Sequence, residues 1–235
     1  MKHAPCRVPG CTGTTDTRYA IYCSAHRHRS RRHGHPEQRA ITKSDLDAYK
    51  KVLKRILMLN RRVDWSAVGK RWEAVADHAR GVLAEFKAGK AGHRGTRQAA
   101  ENVIAIAENV ALDDILQTVI AMYLALEFDP RLFRDDVSFK AQIVRVIRRL
   151  TAASSSFSVN PRTGRMHASA RELTPSARRV MAEWLVAVFA PVGVHLAKLE
   201  RERLTAVDRR RTEYRELLAS LRVAPTTLTI EAQAT

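Results

Sequence analysis

Cys6, Cys11, Cys23 and His26 are the residues of this chain whose types and spacing are best suited to chemistry. Thiolate sulfur and imidazole nitrogen are the donors that tetrahedral Zn2+ prefers, and four protein ligands close its coordination shell. A closed shell leaves no position for water or substrate, so the expected job of the ion is to hold a shape. The rival reading, three unpaired core thiols, fits poorly with their clustering beside a histidine in the most polar part of the chain. His28, His33 and His35 stand close by as other fourth ligands. His26 is preferred because a two-residue gap after Cys23 is the usual chelating interval.

The elements that must position these ligands follow from their neighbours. Pro9 and Gly10 favour a tight turn that brings two sulfurs onto one ion, and the Thr, Tyr and Ile residues of 14–22 suit a short hairpin. Cys23 and His26 then lie one turn apart at the start of a helix. That helix carries Arg27, Arg29, Arg31 and Arg32 and is expected to stop near Gly34, with Pro36 beyond it. Folding around the metal therefore presents a row of arginines.

The string Cys-x3-Gly-Cys, followed by Tyr-Cys-x2-His-x2-Arg-x-Arg-Arg-x-Gly-x-Pro, resembles the small zinc-binding module at the N-terminus of many bacteriophage HNH-type endonucleases and related mobile-element proteins. It uses Cys6, Gly10, Cys11, Cys23, His26, Arg29, Arg31, Arg32, Gly34 and Pro36 and spans about the first 36 residues. The resemblance implies a module that assists DNA binding. Cutting in that family belongs to a separate motif with a His pair, an Asn and a further His. After Pro36, His78, His93, His167 and His195 stand isolated, so the resemblance carries over the binding role and not the nuclease.

The formal net charge is +17, and its distribution is uneven. Up to Arg62 there are 15 Lys and Arg against 4 Asp and Glu, and beyond it 26 against 20. The expectation is a nucleic-acid contact at one end and a more balanced body behind it, the alternative being a basic tail that only aids solubility. The apolar stretch 110–128 is broken by Asp113, Asp114 and Gln117, so no membrane span is expected. With no apolar N-terminal segment, a reducing cytoplasmic setting is expected, nucleoid-associated when bound to DNA.

The remainder reads as mainly α: a zinc module over 1–36, an α-helical bundle over 37–222 with a long C-terminal helix, and a disordered tail over 223–235. A linker over 35–40 leads to a helix whose capping box is Ser44 and Asp47 and which exposes Lys50, Lys51, Lys54 and Arg55. A tryptophan-containing helix follows, then a glycine-rich basic loop, then a hydrophobic central helix. Asp135 or Asp136 caps a helix that exposes Arg145, Arg148 and Arg149. A turn at Asn160 and Pro161 carries Arg162 and Arg165. The last helix begins at Thr174 and Pro175, kinks around Pro191 and Gly193, and ends as an amphipathic arm for the bundle or another protein subunit.

These features predict a nonenzymatic, zinc-containing nucleic-acid-binding protein, DNA favoured and RNA possible, acting as an accessory subunit of a phage or mobile-element DNA-processing complex. A structured-RNA-binding accessory protein of a retroelement or RNA-guided system is the first alternative; few aromatics, 6% of residues, argue against stacking on single strands. A divergent nuclease or recombinase would have to use the paired acids Asp113 and Asp114 or Asp135 and Asp136, which helix capping explains equally well. A protein-interaction scaffold is the third.

Overall fold

The computed structural model describes residues 4–59, 64–151, 155–159, 166–170 and 172–222. In chain order the helices are α1 (Ser24–His33), α2 (Lys43–Leu59), α3 (Ser66–Lys87), α4 (Arg94–Asn109), α5 (Leu112–Phe128), α6 (Asp136–Arg148) and α7 (Pro175–Arg222). A 3-10 turn, Pro130–Leu132, joins α5 to α6, and strands β1 (Ser155–Val159) and β2 (Met166–Ala170) lie between α6 and α7. The strands pair antiparallel, with Ser155 opposite Ala170 and Val159 opposite Met166. Arg162, Arg165 and the tail over 223–235 lie outside the described residues.

The fold is an α-helical bundle with a Cys/His cluster at its N-terminus and a long C-terminal helix. The chain divides into two compact units at Ala197, and the boundary expected at residue 36 falls inside the first. At the centre of that unit is α5, whose residues from Ile115 through Ala125 are buried apart from Gln117, consistent with its continuous apolar run. Its neighbours include α2 and α6, while α3 packs on α4. Trp72 of α3 is 5% exposed and its ring lies 5.7 Å from that of Phe189 on α7.

Local chemistry sets most of the boundaries. Asp135 caps α6 in a reciprocal capping box with Ser138, accepting from its N–H at 2.6 Å. At α2 the box is Thr42 and Asp45 rather than Ser44 and Asp47: the Asp45 carboxylate accepts from the Thr42 N–H at 2.7 Å, and the Thr42 hydroxyl from the Asp45 N–H at 3.3 Å. Arg39 decides between them. Its guanidinium grips Asp45 at 2.8 and 3.0 Å and, with the Thr42 bonds, holds that carboxyl down at about 2.

The start of α7 at Pro175 follows from Thr174, whose hydroxyl accepts from the Ala177 N–H at 3.3 Å. Around Pro191 and Gly193, where a kink is expected, α7 continues without a break in its span. Pro191 itself is exposed, and the buried residues Val188, Phe189, Gly193 and Leu196 hold the helix on both sides. The apolar window to weigh as a membrane span is also here rather than over 110–128. By length and composition α7 is able to cross a membrane, with an 18-residue window of mean hydropathy 1.7, 44% of it buried in the protein. Met181, Ala182, Leu185, Val188 and Phe189 are core residues, at most 3% exposed.

Candidate metal centre

The first arm of the cage is a fold-back of 4–15. Cys6 donates its N–H to the Gly13 carbonyl at 2.9 Å, Thr15 to that of Ala4 at 2.9 Å, and Cys11 to that of Val8 at 3.1 Å. Gly10 takes φ +73 in the turn between them, a conformation that side chains with a Cβ resist. The pairing therefore joins 4–6 to 13–15, not residues within 14–22. Tyr19 and Ile21, 78% and 51% exposed, lack the packing that would sustain a hairpin there.

The second arm is the start of α1. Cys23 is its N-cap residue, and His26 lies three residues on, facing the same side. His26 Nδ1 is 3.5 Å from Cys6 Sγ and 3.3 Å from Cys23 Sγ, and Cys11 Sγ is 3.9 Å from Cys23 Sγ. The four ligand atoms all lie within 4.8 Å of one another. A tetrahedral ion with bonds of about 2.3 Å to sulfur and 2.0 Å to nitrogen sets such edges at about 3.8 and 3.5 Å. The donor set and its spacing fit a metal ion.

Geometry also settles which histidine completes the set. His33 Nδ1 lies 3.1 Å from Gln142 Nε2, and His35 Nδ1 accepts from the Glu37 N–H at 3.2 Å, whereas His26 faces the sulfurs. Burial pushes the Cys6 thiol up, but hydrogen bonds from the Cys23 and Val8 backbone, with His26 and Cys11, outweigh it and bring the thiol down to about 6. Cys11 moves the other way: the Gly13 N–H lowers it, while desolvation and its sulfur neighbours win and raise it.

Beyond the cage, α1 ends where expected, with Gly34 at φ +91 and its N–H donating to the Ser30 carbonyl at 2.9 Å. Its arginines are exposed. Arg27 pairs with Asp16 at 2.7 Å and Arg32 pairs with Glu172.

The stretch expected as a linker is bonded to the body instead. Gln38, 1% exposed, donates to the Leu132 carbonyl at 2.9 Å and accepts from the Arg134 N–H at 3.0 Å. Gln142 of α6, wholly buried, accepts from the Ile41 N–H at 3.0 Å and meets His33 on its other side. A Cβ at Gly34 would come within 2.9 Å of Ser138 Cα and the Val137 carbonyl. Sequence reading missed Gln38 and Gln142. The signal was one polar residue set among the apolar positions Phe139, Ile143 and Val146.

His33 sits in this junction. Burial, followed by Arg145, Arg32, Arg178 and Arg29, lowers its pKa from 6.5 to about 4. A depressed histidine is neutral when folded, so the unfolded chain binds its proton first and stability is lost as pH falls from about 6.5 toward 4. Partial exposure to water limits this contribution to about 1–2 kcal/mol. Thermal melts of the wild type and His33→Gln between pH 4 and 7 test it. The variant is expected to show the shallower fall; equal slopes would refute the linkage.

The other candidate residues divide. Lys51, Lys54, Arg55 and Arg149 are exposed as expected, with Lys50 half-buried. Arg145 and Arg148 are not on an open face. Arg145 donates to the Ile41 carbonyl at 3.2 Å and Arg148 to Asn102 Oδ1 at 2.8 Å, because their long aliphatic stems reach into the junctions of α6 with its neighbours. The paired acids sit at helix starts: Asp113 and Asp114 in the first turn of α5, Asp135 as a cap, and Asp136 paired with Lys140 at 2.6 Å.

No family model matches the chain, and no significant match appears among curated proteins or solved structures.

Proposed function

We propose that this chain is a nonenzymatic, zinc-stabilised DNA-binding protein serving as an accessory subunit of a phage or mobile-element DNA-processing complex. The observation that carries the reading is the cage: three sulfurs and one imidazole fix the start of an exposed, arginine-rich helix in a chain of net charge +17. Zinc is the favoured ion because it accepts this donor set without geometric demands beyond the tetrahedron. The accessory role draws on the resemblance of the N-terminal module. It draws also on Leu199, Tyr214 and Leu217, apolar residues of α7 that are 44–61% exposed and suit a protein partner.

The test is a salt titration of the intact, metal-loaded protein with labelled duplex DNA, hairpin RNA and single strands. Duplex DNA is expected to bind tightest, with affinity falling linearly in log salt as counterions are released. Preference for the hairpin would move the assignment to RNA, and the absence of salt-dependent binding to any of the three would end it.

A further inference from the structure

Where α1, α6 and the start of α7 meet, one carboxylate touches an arginine of α1 and acts at longer range on three others. Arg32 of α1 pairs with Glu172. The same carboxylate lies within electrostatic reach of Arg145 and Arg148 on α6 and of Arg178 on α7, where it opposes the lowering that burial imposes on each. In Arg145, burial together with Arg149 and Arg32 brings the pKa down to about 10. Such lowering marks guanidiniums held where their charge is poorly solvated.

Each of these side chains has an anchor on a neutral oxygen. Arg178 donates to the Arg31 carbonyl, Arg145 to that of Ile41 and Arg148 to the Asn102 amide oxygen. Glu172 is different: its side chain is 51% exposed, and it lies outside any helix or strand, so displacing it costs no backbone ladder. A phosphodiester offers two anionic oxygens with the reach of a carboxylate, and guanidinium forks suit either group.

We propose that Glu172 occupies the seat of a nucleic-acid phosphate, and that Arg32, which it pairs with, and Arg178, held on the neighbouring Arg31 carbonyl, form a phosphodiester site continuous with α1 that the free protein closes with its own carboxylate. This rests on the DNA-binding reading and adds to it where the strand crosses from the metal-held helix onto the body. Arg178, which sequence reading passed over, becomes a contact residue.

The experiment uses the intact metal-loaded protein and a fluorescent 20-base-pair duplex, with anisotropy recorded at several salt concentrations. Glu172→Gln is expected to bind about 3- to 10-fold tighter near 0.1 M salt and to steepen the log-log salt slope by about 0.9, one added phosphate. Arg178→Ala should weaken binding and flatten the slope by a similar amount, whereas Arg178→Lys, which keeps the charge, should keep the slope. Unchanged or weaker binding by Glu172→Gln, with the wild type binding normally, overturns the seat alone. Arg178→Lys behaving like Arg178→Ala removes Arg178 from it, and a wild type that binds no duplex overturns the DNA-binding reading and the seat together.

Discussion

Cys23→Ser, or removal of the metal by a chelator, is expected to release α1 and, on the proposed function, to cost most of the affinity for DNA. α1 is ten residues long and buries no residue of its own, and isolated helices below about 12–15 residues are marginal in water. It is held at its start by the cage and at its end by Gly34, His33 and the Arg178 bond to Arg31. Metal binding in small zinc modules supplies about 10–16 kcal/mol, which is folding free energy. The expected readings are three thiols that react freely with a colorimetric reagent and a far-ultraviolet dichroism loss of about one short helix. The helical body, whose core lies around α5, should still melt cooperatively. Thiols that stay protected after chelation, with affinity unchanged, would mean the cage stands without an ion.

Alanine at Arg27, Arg29, Arg31 and Arg32 together is the second large effect. Each phosphate neutralised contributes about 0.9 to the salt slope, so taking away four charges, two of them already facing acids, should flatten it by about 2–4 and weaken binding some 30- to 10³-fold near 0.15 M salt. The four are not equivalent. Arg27 is engaged by Asp16 and Arg32 by Glu172, so Arg29→Ala and Arg31→Ala should each cost more than Arg27→Ala. The body's melting temperature should barely move, since these side chains are exposed. An unaltered slope in the quadruple variant would place the DNA contact elsewhere.

Local chemistry was legible where one residue or one period decides the outcome. The metal set was readable because four ligands with this spacing have few other uses. The burial of α5 followed from its apolar run, and the start of α7 from Thr174 and Pro175. Tertiary polar contacts were not legible. Gln142 reaches His33 and Ile41 across about a hundred positions, and no periodicity records such a bond. Arg145 and Arg148 look like surface residues because a helical pattern sees their charge and not the length of their stems. The α2 capping box was misplaced because Arg39, four residues before the helix, selects Asp45.

The buried glutamine of α6 gives the N-terminal tip a consequence for engineering. The Gln142 amide meets His33 of the tip, so a chain cut after residue 36 leaves one side of this buried group without its imidazole neighbour. The tip is thus no cassette to be transplanted at will: a graft onto a foreign host would have to bring its receiving groove on α6 along with it.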